Sequence, residues 1–270
     1  MIEIYIKTGF PFDLDYKLCF NSNKLEFITN DIKRNDNKIT VSEAKYFMDK
    51  FIKVNKNLIT DLFIKYPNIN KKIYKKKKIS FMKHFVCLED FRNISYGFIN
   101  SLIKDNSPYS NNKIGDFGFL AGNSKPIRLK FIKLSKTHKM LEYLSTPIYN
   151  KNNPKMITFN DMKKYKYLID LPGHSYSTKI YSYLFCKRVI FRVKKMMKFD
   201  WEKKLIPYIH YMEVNNDLSD LIEKYKYLER DPDIYDRIVE NCNKLVIDEI
   251  SQQKLQYKFL NNLFKIANEL

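Results

Sequence analysis

The sequence predicts an α/β fold that contains a parallel sheet, and three short apolar runs support this prediction. Residues 167–171 (YLIDL) end at a Pro-Gly pair, as a buried strand followed by a turn does. A helical pattern over residues 175–186 leads to a second run at 188–193, and residues 209–214 form a third. Strand, turn, helix and strand in this order form a βαβ unit, which implies parallel strands and a right-handed crossover.

The other elements are predicted in chain order from the same periodicities. Residues 2–6 and 24–29 favour short strands, and residues 41–54 carry apolar side chains at helical spacing. Three amphipathic helices follow the last strand, and the pair Asp231-Pro232 opens the second of them because proline is favoured in a first helical turn. The apolar stripes of these helices begin at Leu218, Ile234 and Leu255.

Composition is that of an ordinary globular chain. The 270 residues are 44% hydrophobic and 29% charged, with only 6 glycines and 9 prolines, which excludes collagen-like and low-complexity architectures. Glu3, Lys7, Asp13 and Asp15 interrupt the N-terminal segment, so we predict no signal peptide. No window approaches the roughly 18–20 apolar residues of a membrane span, and we expect a cytoplasmic protein.

The cysteines predict neither a metal site nor a disulfide framework. Cys19, Cys87, Cys186 and Cys242 are scattered, without a CxxC pair or a histidine at ligand spacing. We interpret all four as free thiols, mostly buried. His210, within an apolar run, is interpreted as a hydrogen-bonded core residue.

The formal net charge of +19 attracts polyanions of any kind. The cations are overwhelmingly lysines in a background rich in Asn, Ile, Tyr and Phe, as A/T-rich codons produce. The cluster Lys71–Lys72 and Lys75–Lys78 is either a nucleic-acid patch or a solvated loop, and we favour the loop. Because no zinc finger, basic zipper or RRM signature is present, nucleic-acid binding stays a minor alternative.

The turn at residues 170–179 is the most informative segment for function. Gly173 permits close approach of the backbone to a ligand, and the polar residues that follow it lie at a helix start. These residues are His174, Ser175, Ser177, Thr178 and Lys179. Backbone N–H groups, a helix dipole and a lysine suit a diphosphate, although serines at a helix start are more often capping residues. The glycine pattern matches neither a Walker A loop nor a dinucleotide fingerprint.

A second loop has a similar composition. Gly122, Asn123 and Ser124 precede Arg128 and an amphipathic segment. The alternative is a plain turn in which Arg128 is a surface cation.

Residues 164–228 resemble the C-terminal signature of glycosyltransferase family 90. The resemblance rests on KYKYLIDLPGHSYSTKIYSYLFCKRVIF and IPYIHYMEVNNDLSDLIEKYKYL, and upstream LAGNSKPIRLKFIKLS resembles the family's donor loop. It implies a GT-B-like fold of two Rossmann-like lobes with parallel sheets. It also implies inverting, metal-independent transfer of glucose or xylose from a UDP-sugar, with no cofactor besides this co-substrate. The acceptor would be a glycan, a lipid-linked saccharide or a protein hydroxyl.

The resemblance also divides the chain and assigns its residues. It implies an N-terminal acceptor-side lobe at 1–112, a C-terminal donor lobe at 113–250 and a C-terminal helix at 251–270. The residues of both loops inherit donor-site roles, with Arg128 and Lys179 balancing the charge of the diphosphate.

Three positions depart from the family pattern. Ala121 and Lys179 stand where the family has arginines. Lys65 stands where the family has the aspartate that acts as its general base. Asp61 is the nearest carboxylate and therefore the candidate general base, with Asp31 as a more distant alternative. A non-catalytic binder of a nucleotide sugar or glycan remains an alternative.

Overall fold

The computed structural model of the chain describes residues 2–7, 15–21, 23–29, 49, 51–71, 75–80, 106–119, 126–146, 162–172, 179–194 and 200–270. The chain divides into two compact units, the first made of residues 1–93 and 251–270 and the second of residues 94–250. Each unit contains a β-sheet and helices, so the predicted α/β, GT-B-like fold class is confirmed.

The sheet of the first unit is mixed rather than parallel throughout. Its strands are β1 (Ile2–Lys7), β2 (Asp15–Asn21), β3 (Lys24–Thr29) and β4 (Lys75–Ser80), in the order β3-β2-β1-β4. β1 pairs with β4 in parallel, but β2 pairs antiparallel with both β1 and β3. The two-residue connection between β2 and β3 explains the second pairing, because so short a loop joins only antiparallel strands. Its Asn23 has a φ of 63°, which asparagine tolerates.

The lysine cluster of the first unit is part of this sheet. Lys75–Lys78 lie in β4, so their interpretation as a solvated loop is wrong. β4 is an edge strand, where Lys76 is in register with Glu3 of β1. Charged residues suit such an edge because they oppose pairing with another chain. A run of identical residues has no period of two, so periodicity could not reveal this strand.

Helices from both ends of the chain build the core of the first unit. α1 (Lys56–Lys65) is followed by a 3-10 helix (Pro67–Lys71), and α6 (Gln252–Glu269) is the last helix of the chain. Phe264 of α6 is fully buried, with its ring centroid 5.0 Å from that of Phe20 and 4.8 Å from that of Phe63. The first unit is therefore discontinuous in sequence, and its core depends on α6.

The sheet of the second unit is entirely parallel, as predicted. Its strands are β5 (Asn111–Phe119), β6 (Leu141–Thr146), β7 (Tyr165–Asp170), β8 (Val189–Val193) and β9 (Met212–Val214), in the order β6-β5-β7-β8-β9. Every residue of β7 and β8 is buried, which explains why both read as continuous apolar runs.

The helices of the second unit are α2 (Pro126–Thr137), α3 (Lys179–Leu184), α4 (Leu221–Arg230) and α5 (Pro232–Asp248). The carboxylate of Asp231 accepts a hydrogen bond from the Ile234 N–H at 3.3 Å, so the predicted start of α5 is confirmed. In the predicted helices at 41–54 and 175–186, residues 41–48, 50 and 175–178 lie outside the described residues. Cys19, Cys186 and Cys242 are buried and form no disulfide with one another, and Cys87 lies outside the described residues.

Candidate functional site

A cleft of about 510 Å³ lies at the carboxyl edge of the parallel sheet. The segments after β7, β8 and β9 form one side, and the N-terminus of α2 forms the other. It is lined by Pro126, Ile127, Lys130, Pro172, Val193, Asn216 and Asp217. Open α/β sheets bind ligands at this edge, because strand ends leave a crevice there and helix N-termini point into it.

Arg128 ties the first turn of α2 to the end of β7. Its Nε donates a hydrogen bond to the carbonyl oxygen of Pro172 at 3.2 Å, and its Nη2 donates to that of Leu171 at 3.1 Å. The side chain is only 6% exposed, so the interpretation of Arg128 as a surface cation is wrong. A guanidinium that bridges two consecutive carbonyls fixes the position at which the chain leaves β7.

The α2 side of the cleft is electropositive. Arg128 carries its charge in the first turn of a helix whose free N–H groups already give that end a partial positive charge. No acidic residue lies in that turn, and Lys130 adds a second cation on the cleft wall. Two like charges near a helix N-terminus attract anions, and the carboxylate of Asp217 balances the charge of Lys130 in part. This side of the cleft therefore suits an anionic group.

The opposite wall carries an ionised carboxylate. Oδ1 of Asp217 accepts a hydrogen bond from the Ser219 N–H at 3.1 Å. Hydrogen bonds from the Ser219 hydroxyl and N–H, together with the nearby Lys130 ammonium, hold the pKa of Asp217 below its ordinary value. An ionised carboxylate only accepts hydrogen bonds, so this wall suits hydroxyl groups.

The loop that bears Asp217 is held by its neighbours. Leu218 has a φ of 59°, an unfavourable conformation for a branched residue. Asp220 stabilises it, because its Oδ1 accepts from the Asn215 N–H at 2.8 Å and its Oδ2 lies 2.7 Å from Lys224 Nζ. Although burial opposes the shift, these two contacts lower the pKa of Asp220.

A buried ionic network lies directly behind the carboxyl edge. The Nε of Arg192 lies 3.2 Å from Oδ2 of Asp170, and its Nη2 donates to Glu202. Arg192 and Asp170 are fully buried and Glu202 is 1% exposed. The network connects the ends of β7 and β8 to the 3-10 helix at Asp200–Lys204. The strands that deliver Pro172 and Val193 to the cleft are thereby fixed relative to each other.

The family model for glycosyl transferase family 90 matches residues 101–268, which include the cleft, Arg128 and the buried network. The chain belongs to glycosyltransferase family 90. The resemblance described from the sequence is thus confirmed.

Individual relatives of this family 90 chain are more distant. It is 35% identical over 125 residues to the uncharacterized protein 179R of Invertebrate iridescent virus 6, an alignment that covers 43% of this chain and 10% of the viral protein. It is 23% identical over 148 residues to protein O-glucosyltransferase 1 of Rattus norvegicus, covering 55% of this chain and 36% of that protein. The chain therefore aligns with a minor part of the curated relatives it matches.

Two solved structures are similar to the family 90 chain. The C-terminal domain of the glycosyl transferase group 1 family protein LpcC from Francisella tularensis matches with a TM-score of 0.40 and 12% identity, covering 57% of this chain and 93% of that domain. A glycosyltransferase from Rickettsia africae ESF-5 matches with a TM-score of 0.44 and 10% identity, covering 87% of this chain and 84% of that protein. We draw no residue correspondence from either.

The site residues predicted from the sequence of this family 90 chain are only partly described. Arg128 is buried beside the cleft, Lys179 is the first residue of α3, and Asp61 lies on the exposed face of α1 in the first unit. The remaining donor-site residues lie outside the described residues. They are Gly122, Asn123, Ser124, Gly173, His174, Ser175, Ser177 and Thr178.

Sequence reasoning missed two features of this site. Asp217 and Lys130 line the cleft, yet neither was among the site residues predicted from the sequence. Only the topology identifies them. Asp217 follows a strand that ends at the carboxyl edge, and Lys130 lies near the start of a helix that begins there. Among the described residues, no group of three metal-ligating side chains is clustered, and no helix is long and apolar enough to cross a membrane.

His210 differs from its sequence interpretation. It lies in a turn before β9 and is partly exposed, so its assignment to a core strand is wrong. It is hydrogen-bonded as expected, because its Nδ1 accepts from the Ile206 N–H at 2.9 Å. The apolar run predicted a strand here because Ile206, Tyr208 and Ile209 are apolar. These residues are exposed and belong to the turn, in which Tyr208 has a φ of 64°.

Proposed function

We propose that this family 90 chain transfers a sugar, glucose or xylose, from a UDP-sugar to a hydroxyl group of a glycan, a lipid-linked saccharide or a protein. The reaction we propose is inverting and needs no metal. Arg128 carries the proposal, since it adds a buried positive charge at a helix N-terminus beside a cleft at the carboxyl edge of a parallel sheet.

The positive wall would hold the diphosphate. In the transfer, the acceptor oxygen bonds to the anomeric carbon, and the bond from that carbon to the phosphate oxygen breaks. The bonding electron pair leaves with UDP, whose charge increases as the bond lengthens. The α2 N-terminus, Arg128, Lys130 and Lys179 would stabilise this charge. The acceptor proton passes to a general base, for which Asp61 remains the candidate.

The acidic wall would hold sugar hydroxyls. Asp217 is ionised and lines the cleft opposite α2, so ribose or hexose hydroxyl groups are suitable donors to it. Pro172, Ile127 and Val193 add apolar surface to the walls of the cleft, which suits the faces of a base or a sugar ring. This combination of anion-binding and hydroxyl-binding walls favours a nucleotide sugar over a simple phosphate.

Thermal unfolding with a panel of nucleotides tests the proposal. UDP or a UDP-sugar at about 100 times its Kd adds roughly 2.7 kcal/mol of stability, a shift of a few degrees in Tm for a chain of this size. We expect a shift with uridine nucleotides that is lost in Lys179→Ala. The exposed Lys226→Ala, at the surface of α4, is the matched control. A well-folded sample that responds to no uridine nucleotide would overturn the donor-site assignment.

A non-catalytic binder of nucleotide sugars is the second candidate, and Lys65 favours it. Its Nζ lies 2.9 Å from Oδ1 of Asn261 and 5.3 Å from the ring centroid of Tyr66. The hydrogen bond to Tyr257 raises the pKa of Lys65, so this residue stays protonated and accepts no proton. UDP release from UDP-glucose and UDP-xylose distinguishes the candidates. A Tm shift without release, in the presence of acceptor saccharides, favours the non-catalytic binder.

A further inference from the structure

The exposed face of α2 is formed by lysines. Residues 126, 129, 130, 133, 136 and 137 are exposed, at the spacing of one helical face, whereas Arg128 and Phe131 are buried. Lys130, Lys133 and Lys136 lie on this exposed face, and Lys139 follows in the next turn, also exposed. We call these four residues the α2 lysine face.

The α2 lysine face carries charge of a single sign. The sequence of α2, PIRLKFIKLSKT, contains no aspartate or glutamate, so no helical ion pair neutralises its lysines. Asp217 lies near Lys130 only, and no described residue forms an ion pair with Lys133 or Lys136. From Lys130 to Lys136, exposed lysines cover about 9 Å along the helix axis. Exposed lysines along one helix face, with Asp217 near only the first of them, suit an extended anionic surface.

We infer that the α2 lysine face binds the anionic headgroups of a lipid bilayer. A polybasic segment gains about 1 kcal/mol per lysine at an anionic membrane surface. Leu129, which is 50% exposed on the same face, adds an apolar side chain that can enter the headgroup region. Single-stranded nucleic acid is less suitable because its binding relies on exposed aromatic side chains, and α2 exposes none.

The α2 lysine face adjoins the cleft, so a membrane contact there would place the cleft near the bilayer. The N-terminus of α2 lines the cleft, and Lys130 belongs to both surfaces. If α2 rests on a bilayer, the cleft opens close to the headgroups, where a lipid-linked saccharide would present its hydroxyls. This consequence rests on the proposed function, whereas the membrane contact itself does not.

Vesicle sedimentation tests the contact. We expect the wild-type chain to bind vesicles with about thirty per cent phosphatidylserine and not vesicles of phosphatidylcholine alone. The triple variant Lys133→Gln, Lys136→Gln, Lys139→Gln should bind the anionic vesicles roughly a hundredfold more weakly. None of these three residues lines the cleft, so the UDP-induced Tm shift should be unchanged.

A matched triple variant distinguishes the effect of the α2 lysine face on vesicle binding from the effect of net charge. Lys254→Gln, Lys258→Gln, Lys265→Gln removes the same charge from exposed positions of α6. We expect it to weaken vesicle binding by less than about threefold, because long-range charge is screened within a Debye length. Equal losses in the two triple variants would overturn the inference, as would a wild-type chain that binds oligonucleotides but no anionic vesicles.

Discussion

The Nε of Arg192 and Oδ2 of Asp170 lie 3.2 Å apart at facing positions of β8 and β7, and both side chains are fully buried. Glu202 completes the network from the neighbouring 3-10 helix. Among the described residues, Arg192 pairs with both carboxylates of this network. Trp201, the only tryptophan, adjoins Glu202 and reports on the second unit by its fluorescence.

We expect Arg192→Met to destabilise the second unit strongly. The variant removes the guanidinium that pairs with both buried carboxylates, and breaking a buried ion pair in this way costs about 3–5 kcal/mol. Asp170→Asn should cost about 1–3 kcal/mol because Glu202 still pairs with Arg192. Urea unfolding followed by Trp201 fluorescence measures both, with the exposed Lys226→Met as the control. A change below about 0.5 kcal/mol for Arg192→Met would show that the network contributes little.

Arg128→Lys should weaken UDP binding without unfolding the chain. A lysine keeps the charge at the α2 N-terminus but lacks the planar fork that reaches the carbonyls of Leu171 and Pro172 together. We expect about tenfold weaker binding, equivalent to about 1.4 kcal/mol, measured by titration calorimetry with UDP. The exposed Lys133→Arg on the same helix is the control. If the affinity for UDP is unchanged in Arg128→Lys, the position of the turn after β7 does not influence nucleotide binding.

Asp217→Asn should reduce affinity for UDP-sugars while leaving stability nearly unchanged. The amide oxygen still accepts from the Ser219 N–H, but the charge that strengthens hydrogen bonds from ligand hydroxyls is lost. Hydrogen bonds to a charged group are stronger than those to a neutral amide, so affinity should fall by about tenfold. Inorganic pyrophosphate, which has no sugar hydroxyls, should bind the variant no more weakly than the wild type. An equal loss for both ligands would contradict the assigned role.

The lowered pKa of His210 predicts that the free energy of unfolding decreases in mild acid. Burial lowers the pKa of His210, and its Nδ1 already accepts from the Ile206 N–H. Below the ordinary histidine pKa of about 6.5, the unfolded chain binds a proton before the folded chain does. The stabilising effect is therefore complete above that value and declines as pH falls through the lower folded pKa.

Urea midpoints at about pH 7.5 and pH 5.5 measure this histidine effect, since the window brackets its ordinary pKa. The difference between the two midpoints should be smaller in His210→Asn than in the wild type. The lowered pKa values of Asp217 and Asp220 act in the same direction, but only below their ordinary value of 3.8, outside this window. His138→Asn is the control, and an equal reduction there would remove His210 as the cause.

Phe264→Ala should unfold the first unit selectively. Its ring is fully buried against Phe20 and Phe63, and removing a buried phenylalanine costs about 3–5 kcal/mol. Hydrogen exchange should therefore accelerate in β2 and α1 but not in β7 and β8. The adjacent Lys265→Ala, at an exposed position, should change neither. Faster exchange in both units alike would indicate that they unfold together.

The sequence predicts the second unit well because its information is local. β7 and β8 are short apolar runs, and a strand buried on both faces needs no knowledge of its neighbours to be recognised. Asp231 also acts as predicted, since a helix cap depends only on adjacent residues.

Positions that depend on distant parts of the chain were not predictable in this way. Arg128 reads as a surface cation on α2, and only the packing of α2 against β7 reveals its contact with Leu171. Lys75–Lys78 lack any period, and their pairing with β1 joins segments far apart in sequence. Asp217 becomes a cleft residue only because β9 lies beside β8.

The placement of α6 in the first unit sets an order for folding during synthesis. Residues 94–250 form one continuous segment, so the second unit can complete its core without the rest of the chain. The first unit is synthesised earlier but waits, because Phe259, Leu260 and Phe264 are needed to close its core. Until α6 emerges, the apolar side chains of α1 stay exposed to chaperones and proteases. A chain truncated before residue 252 therefore contains the whole second unit but lacks the helix that completes the core of the first.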